Sequence, residues 1–151
     1  GFLYGHLSAE ENLRFYGQLF GLVDVDNVVR HKLQHLGLQE RATSLVRDLS
    51  HGMRQRLALA RALLHDPDVI LLDEPYTGLD PSAAVVLQGV LSDLRDGRRT
   101  IVMVTHNLSE GVALATTAAI MNRGRFVWQG KRAEIREDFG QFYHSVIEGQ
   151  G

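Results

Sequence analysis

The chain contains no cysteine among its 151 residues, which excludes a disulfide framework and a thiolate metal site and is compatible with a reducing compartment. It has no apolar run approaching the ~18–20 residues that a helix needs to cross a bilayer, and no segment reads as a secretory signal. Charge of one sign is not in excess. Sixteen Lys and Arg stand against 18 Asp and Glu, a net charge of −2, so no nucleic-acid partner is expected. Internal repeats, linkers and low-complexity segments are also missing. What is present is ordinary for a folded domain: 44% hydrophobic and 23% charged residues, in a length that can bury one core.

The most informative stretch is LSHGMRQRLALARALLHDPDVILLDEPYTGLD, from Leu49 to Asp80. Ser50 is a favourable helix N-cap and Gly52 leaves the backbone uncrowded where the helix begins. The free N–H groups of a helix start, with a serine hydroxyl beside them, form a ready anion site. A helix is expected from Gly52 to His65, with Leu57, Ala60 and Leu64 on one face, stopped by Asp66-Pro67. Val69 to Leu72 is apolar and rich in β-formers, as expected of a parallel strand covered on both faces. Asp73 and Glu74 end it, at the edge where open α/β sheets place their chemistry. An adjacent pair of acids closing so apolar a strand points to a cation.

These residues resemble the ATP-binding-cassette (ABC) ATPases, the nucleotide-binding domains of ABC transporters. Leu49-Ser50-His51-Gly52-Met53 is similar to the family signature, with His51 where Gly is usual and Met53 where Gln is usual. Gln55-Arg56 follows as in the family. Ile70 to Pro75 resembles the Walker B strand with its glutamate, Gly78-Leu79-Asp80 the D-loop, and Val104-Thr105-His106 the switch histidine. Four motifs in the family's order are far more specific than any one of them.

The resemblance implies an α/β fold: a partial P-loop NTPase core of the ABC type with a helical subdomain. It implies ATP and Mg²⁺ as cofactors. Asp73 would hold the metal, Glu74 would orient or deprotonate the attacking water, and His106 would contact the γ-phosphate. Two such domains pair head to tail, so Ser50, His51, Gly52 and Met53 would face the ATP of a second nucleotide-binding domain, with Asp80 communicating across the interface. His51 adds a titratable group, and Met53 cannot hydrogen-bond as glutamine does. Transmembrane permease subunits would be the other partners, at the cytoplasmic face of the membrane. The stretch LYGHLSAEENLRFYGQLFGL has the tone of exporters of drugs, haem or lipid-like substrates, with the haem exporter of cytochrome c maturation as one guess.

The phosphate loop G-x-x-x-x-G-K-[ST] is missing. Gly124 to Arg132 (GRFVWQGKR) resembles it faintly, but five residues separate its glycines and Arg132 stands where Ser or Thr would hold magnesium. The chain begins Gly-Phe-Leu-Tyr without methionine and reads as the back two-thirds of a larger domain. Residues 1–62 would be the helical subdomain with the signature, 63–130 the partial ATPase core and 131–151 a helical tail. Two other readings stand beside the transporter subunit. One is a soluble ABC ATPase of translation or DNA repair, which would show a second cassette or long coiled coils. The other is an inactive partner-binding fragment, which the missing phosphate loop allows.

Elsewhere the chain is read more coarsely. Ser8-Ala9-Glu10-Glu11 is a capping box opening a helix through about Phe20, closed by Gly21. Leu13, Tyr16 and Phe20 line one face of it and Phe15 and Leu19 widen it, as core or, by the resemblance, as the surface that grips the membrane partner. A second helix runs from Asp26 to Leu36, with Val29, Leu33 and Leu36 inward and Gly37 after it. His31 and His35 have metal-ligand spacing but lack a third ligand, so a solvated face is expected. Asp80-Pro81 opens another helix, with Ala84, Leu87, Leu91 and Leu94 inward. Thr100 to Thr105 reads as a buried strand reached by a right-handed crossover. Ser109 to Ala115 makes a short helix, and Arg123-Gly124 turns a hairpin between 118–122 and 125–129.

Overall fold

A computed structural model describes residues 3–95, 97–134 and 139–149, apart from the side chains of 108–110. The chain forms two compact units, Gly1–Val102 and Met103–Gly151.

The first unit is built on three helices, α1 (Ala9–Leu19), α2 (Val25–His35) and α3 (His51–Ala62). The capping box of α1 is complete: Ser8 Oγ accepts from the Glu11 N–H at 3.2 Å, and the Glu11 carboxylate accepts from the Ser8 N–H at 2.7 Å. Gly21 and Gly37 follow α1 and α2 with φ of 69° and 62°, the left-handed conformation that glycine adopts without a Cβ penalty. Leu13, Leu36, Leu38, Leu57 and Ala60 are fully buried where the helices meet. Gly17 lets α2 come close, since a Cβ there would lie 2.8 Å from Val25 Cγ1. Asn12, also fully buried, fastens the entry loop. Its Oδ1 accepts from Tyr4 N at 2.8 Å, and its Nδ2 donates to Tyr4 O at 3.0 Å and Ser8 O at 2.9 Å. The loop ahead of α1 is in turn bonded to the one ahead of α3, through Ala9 N to Ser44 O at 3.0 Å and Val46 N to Leu7 O at 3.0 Å.

After α3 come β1 (Val69–Asp73), α4 (Pro81–Asp93) and β2 (Thr100–Val104), and β1 and β2 are hydrogen-bonded neighbours. The last two residues of β2 belong to the second unit. That unit continues with α5 (Leu108–Leu114), β3 (Thr117–Asn122), β4 (Arg125–Lys131) and α6 (Phe139–Glu148). β3 and β4 form the expected antiparallel hairpin, with Asn122 opposite Arg125. Arg123 and Gly124 have φ of 48° and 77°, and two positive φ values match the twist of a two-residue hairpin. Trp128 on β4 meets Phe142 on α6 edge to face, centroids 5.1 Å apart. The Gly124–Arg132 decoy therefore lies along a hairpin strand. Of the expected C-terminal helix, 135–138 lie outside the described residues.

Several expectations need correction. β1 is not covered on both faces: Ile70 is buried, whereas Val69 and Leu71 are 57% and 75% exposed. In β2, Val102 and Val104 are likewise exposed. An apolar run buries both faces only where a layer covers each, and among the described residues one face lacks that layer. Leu13 of α1 is buried, but Phe15, Leu19 and Phe20 are exposed, so the inward face of that helix is Ala9, Asn12, Leu13 and Gly17. On α4 the inward stripe is Ala83, Leu87, Val90 and Leu91, one residue from the expected register at its start. α3 ends at Ala62, ahead of His65, and Asp66 takes φ of 53°, in the left-handed region that Asp visits more readily than most residues with a Cβ. His31 is exposed, His35 Nε2 stands 3.7 Å from Asp93 Oδ2, and no metal-binding group of three His, Cys, Asp or Glu occurs among the described residues.

Candidate functional site

Two helix starts adjoin in the first unit. Ser50 caps α3, its Oγ accepting from Met53 N at 3.2 Å. Asp80 caps α4, its Oδ1 accepting from Ala83 N at 2.9 Å, and Pro81 follows at the first helical position. Gly52 lies where they meet. A Cβ on it would sit 3.3 Å from Ala83 Cβ, 3.5 Å from Leu79 Cδ2 and 3.9 Å from Asp80 Oδ2. The approach is tight at Ala83 and ordinary at the other two, so a side chain here would push α4 away by a few tenths of an ångström, a packing reason for glycine additional to uncrowded backbone. Ser50 and His51 are exposed and Met53 is half-buried. No acidic residue occupies the first turn of α3, so its N–H groups and the positive end of its dipole are not neutralised from within the helix.

The chain from β1 to α4 makes a turn against the same end of α3. Asp73 closes β1, and Glu74 adopts φ of 47°, a region that non-glycine residues rarely occupy. Thr77 N donates to Glu74 O at 3.1 Å, and Leu79 N to Tyr76 O at 3.2 Å. Gly78, with φ of 76°, lies under the His51 ring: a Cβ there would be 3.1 Å from His51 Nε2. Gln55 Nε2 donates to Pro75 O. Its neighbour Arg56 turns the other way and donates to Leu36 O at 2.9 Å, satisfying a carbonyl at the C-terminal end of α2. The sequence places Gln55 and Arg56 beside the signature, but their partners lie 20 residues away in opposite directions. Only the four-residue step from His51 to Gln55 hinted that one face of the helix serves the turn.

Asp73 is exposed, and no hydrogen bond or ion pair from a described residue engages its carboxylate. A free carboxylate at this place fits Mg²⁺, which is commonly held by one or two carboxylates together with substrate phosphates. The first unit thus sets the start of α3, Ser50 to Met53, against the turn between Glu74 and Asp80, and Asp73 precedes that turn at the end of β1. His106 belongs to the second unit, two residues past the end of β2 and exposed. Beside it Thr105 Oγ1 accepts from Asn107 N at 3.0 Å, and Asn107 O accepts from Gly111 N at 3.1 Å.

A model of the ABC transporter family matches residues 2–77. The chain belongs to that family. It is 41% identical over 130 residues to the Nod factor export ATP-binding protein I of Cupriavidus metallidurans, covering 85% of this chain and 43% of that protein. It is 33% identical over 152 residues to the ABC transporter ATP-binding protein NatA of Bacillus subtilis, covering 96% of this chain and 62% of that protein. A solved structure of the ATP-binding subunit of an ABC transporter superposes with a TM-score of 0.82 at 27% identity, covering 96% of this chain and 64% of its own. The α/β reading as part of an ABC ATPase core is thereby shown. The chain spans less than two thirds of the length of each of these proteins. The haem-exporter guess draws no support from their names.

Proposed function

We propose that the chain is part of an ATP-binding subunit that hydrolyses ATP to drive export through separate membrane permease subunits. The observation that carries this reading is the N-terminus of α3, which holds no acid in its own first turn and lies against the turn that leads from Glu74 to Asp80. Names of relatives that are ATP-binding proteins of exporters or transporters support it.

In this reading Ser50 and the first N–H groups of α3 bind the γ-phosphate of ATP carried by a second nucleotide-binding domain. Asp73 holds Mg²⁺, which supplies neutralisation of phosphate charge when bound. On the ATP of its own chain, a different one, Glu74 would accept a hydrogen bond from the attacking water and align it, and His106 would donate to the γ-phosphate as charge develops there. Asp80, committed to capping α4 through Oδ1, gives the interface a fixed edge. The permease would dock on the aromatic group of the first unit. There Tyr4 and Phe15 pack edge to face at 5.3 Å between centroids, with Phe20 45% exposed. The site would work at the cytoplasmic face of the membrane.

Replacing Glu74 by Gln in the full-length protein tests the reading. The amide keeps the shape but cannot accept the proton, so the loss falls on the transition state and not on ATP binding. Phosphate release should stop while ATP still binds, and the ATP-bound dimer should persist on size-exclusion chromatography. Continued turnover, or a variant that binds ATP yet stays monomeric, would contradict the proposal. Residues 1–151 alone, without the lysine and backbone nest of a phosphate loop, should release no phosphate from Mg-ATP.

A further inference from the structure

We infer that His51 and Gln55 are positioning residues: from one face of α3 they hold the Glu74–Gly78 turn and so fix the backbone at Glu74 of their own chain. The inference rests on the ATPase reading for its consequence, but its geometry stands on the first unit alone.

Residues four apart on a helix share a face, and both side chains of this pair reach the same turn. The His51 ring covers Gly78, where a Cβ would be 3.1 Å from Nε2 and 3.2 Å from Cδ2. Gln55 Nε2 donates to Pro75 O, one peptide beyond Glu74. Between these two anchors the turn closes on itself through the Thr77 N–H to Glu74 O bond. Glu74 needs such support. Its φ of 47° lies in a sparsely populated region for a residue with a Cβ, and such a conformation persists only where the surroundings hold it.

The His51 contact is steric, ring atoms against a glycine that carries no Cβ. Gln55 is the specific element: the amide of its side chain is the donor for a carbonyl that proline places there. Its buried Oε1 has no partner among the described residues, so the residue is retained at that cost for the one bond it makes. One helix then serves two purposes. Its capped end faces outward, while its flank sets the turn that carries the proposed water-orienting carboxylate.

The experiment is carried out on the full-length protein, with amide hydrogen exchange measured without nucleotide and ATPase kinetics measured beside it. Gln55→Met keeps the length of the side chain and removes the donor. The Thr77 and Leu79 amides should exchange about tenfold faster in it, with the Leu63 amide at the far end of α3 unchanged. Its kcat should fall about tenfold with KM for ATP within about twofold, the pattern of a lost transition-state contribution. Gln55→Lys, which restores an N–H donor of similar reach, should recover most of both. His51→Ala, at an exposed position that does not threaten folding, should raise exchange at Thr77 and Leu79 in the same direction. Unchanged exchange at those amides in both Gln55→Met and His51→Ala would overturn the inference whatever the kinetics. Glu74→Gln in the same assays keeps the two questions apart: if it continues to turn over, the ATPase reading fails while the exchange result still decides the positioning role.

Discussion

The starts of α1 and α3 use the same residue in the same way and end up as opposites. Ser8 and Ser50 each accept a hydrogen bond from the third helical N–H, both at 3.2 Å. In α1 that third residue is Glu11, whose carboxylate returns to the Ser8 N–H and, with Glu10, fills the first turn with negative charge. In α3 the third residue is Met53 and the first turn holds no acid. The α1 terminus is closed and buried against the loop ahead of α3. The α3 terminus is capped by Ser50 and carries no acid of its own, which in the proposed reading leaves its N–H groups and dipole to an anion from outside. One serine begins a structural helix and the other a proposed phosphate site, and the third residue makes the difference.

The largest effect should come from erasing that difference. Met53→Glu in the full-length protein would turn α3 into a copy of α1, with a carboxylate able to reach the Ser50 N–H. Two like charges a few ångströms apart in a partly dry interface cost on the order of several kcal/mol, so steady-state ATP turnover should fall at least about a hundredfold. Thermal stability should hold or rise slightly, by a few tenths of a kcal/mol, as capping boxes and N-terminal acids usually provide. Met53→Gln tests whether charge or shape is responsible. It offers the same reach without the charge and should keep turnover within about threefold of the parent. Equal losses in both variants would mean that the N-terminus of α3 does not meet phosphate.

The serines themselves should separate next. Ser50→Ala and Ser8→Ala each remove one cap, at a cost of about 1 kcal/mol of stability measured by urea unfolding. Ser8, only 5% exposed, should lie at the upper end of that range. Turnover should divide them. Ser8→Ala should leave kcat within about twofold once the protein is folded, whereas Ser50→Ala should reduce it about tenfold or more by removing a phosphate contact. A Ser8→Ala variant that loses as much activity at equal folded fraction would dissolve the distinction between the two helix starts.

What could be seen in the sequence follows the range of each interaction. The capping box of α1, the glycines that follow α1 and α2 and the hairpin turn at Arg123-Gly124 are decided by residues within four positions of each other, and all appear where the sequence puts them. The family was legible from the order of the motifs, and the structure adds that the motif residues from Ser50 to Asp80 lie in one unit and His106 in the other. The exposure of Val69 and Leu71 was not legible, because an apolar strand reads the same whether one face or two are covered. For Phe15, Leu19 and Phe20 the sequence left core and surface open, and their exposure removes only the core alternative, for a related reason. Helical periodicity shows which side chains share a face, but not how wide the neighbouring helices are. Gln55 was hidden because its partner, Pro75 O, is distant in sequence and belongs to the backbone.

The smallest predicted effect concerns only the closed helix start, and it isolates the charge in the box. The Ser8 backbone N–H, bonded to the Glu11 carboxylate at 2.7 Å, holds its pKa below the ordinary value of 4.5. The Ser8 side chain acts in the same direction and, more weakly, so does Arg14, against an opposing effect of desolvation. A carboxyl with a depressed folded-state pKa binds its proton more readily in the unfolded chain. Its stabilising contribution is therefore fully present above the unfolded value, near 4.5, and disappears as pH falls through the lower folded value. Glu11→Gln keeps an oxygen for the Ser8 N–H but has nothing to titrate. Urea unfolding from about pH 7 to about pH 3 should thus give a parent more stable than the variant by a constant margin down to about pH 5, with the two curves converging below it. In Met53→Glu the same experiment should introduce a convergence of that kind relative to Met53→Gln, now at α3. Parallel curves for parent and Glu11→Gln through the acid range would show that the closed terminus owes nothing to the carboxylate charge. The contrast with α3 would then rest on hydrogen bonding alone.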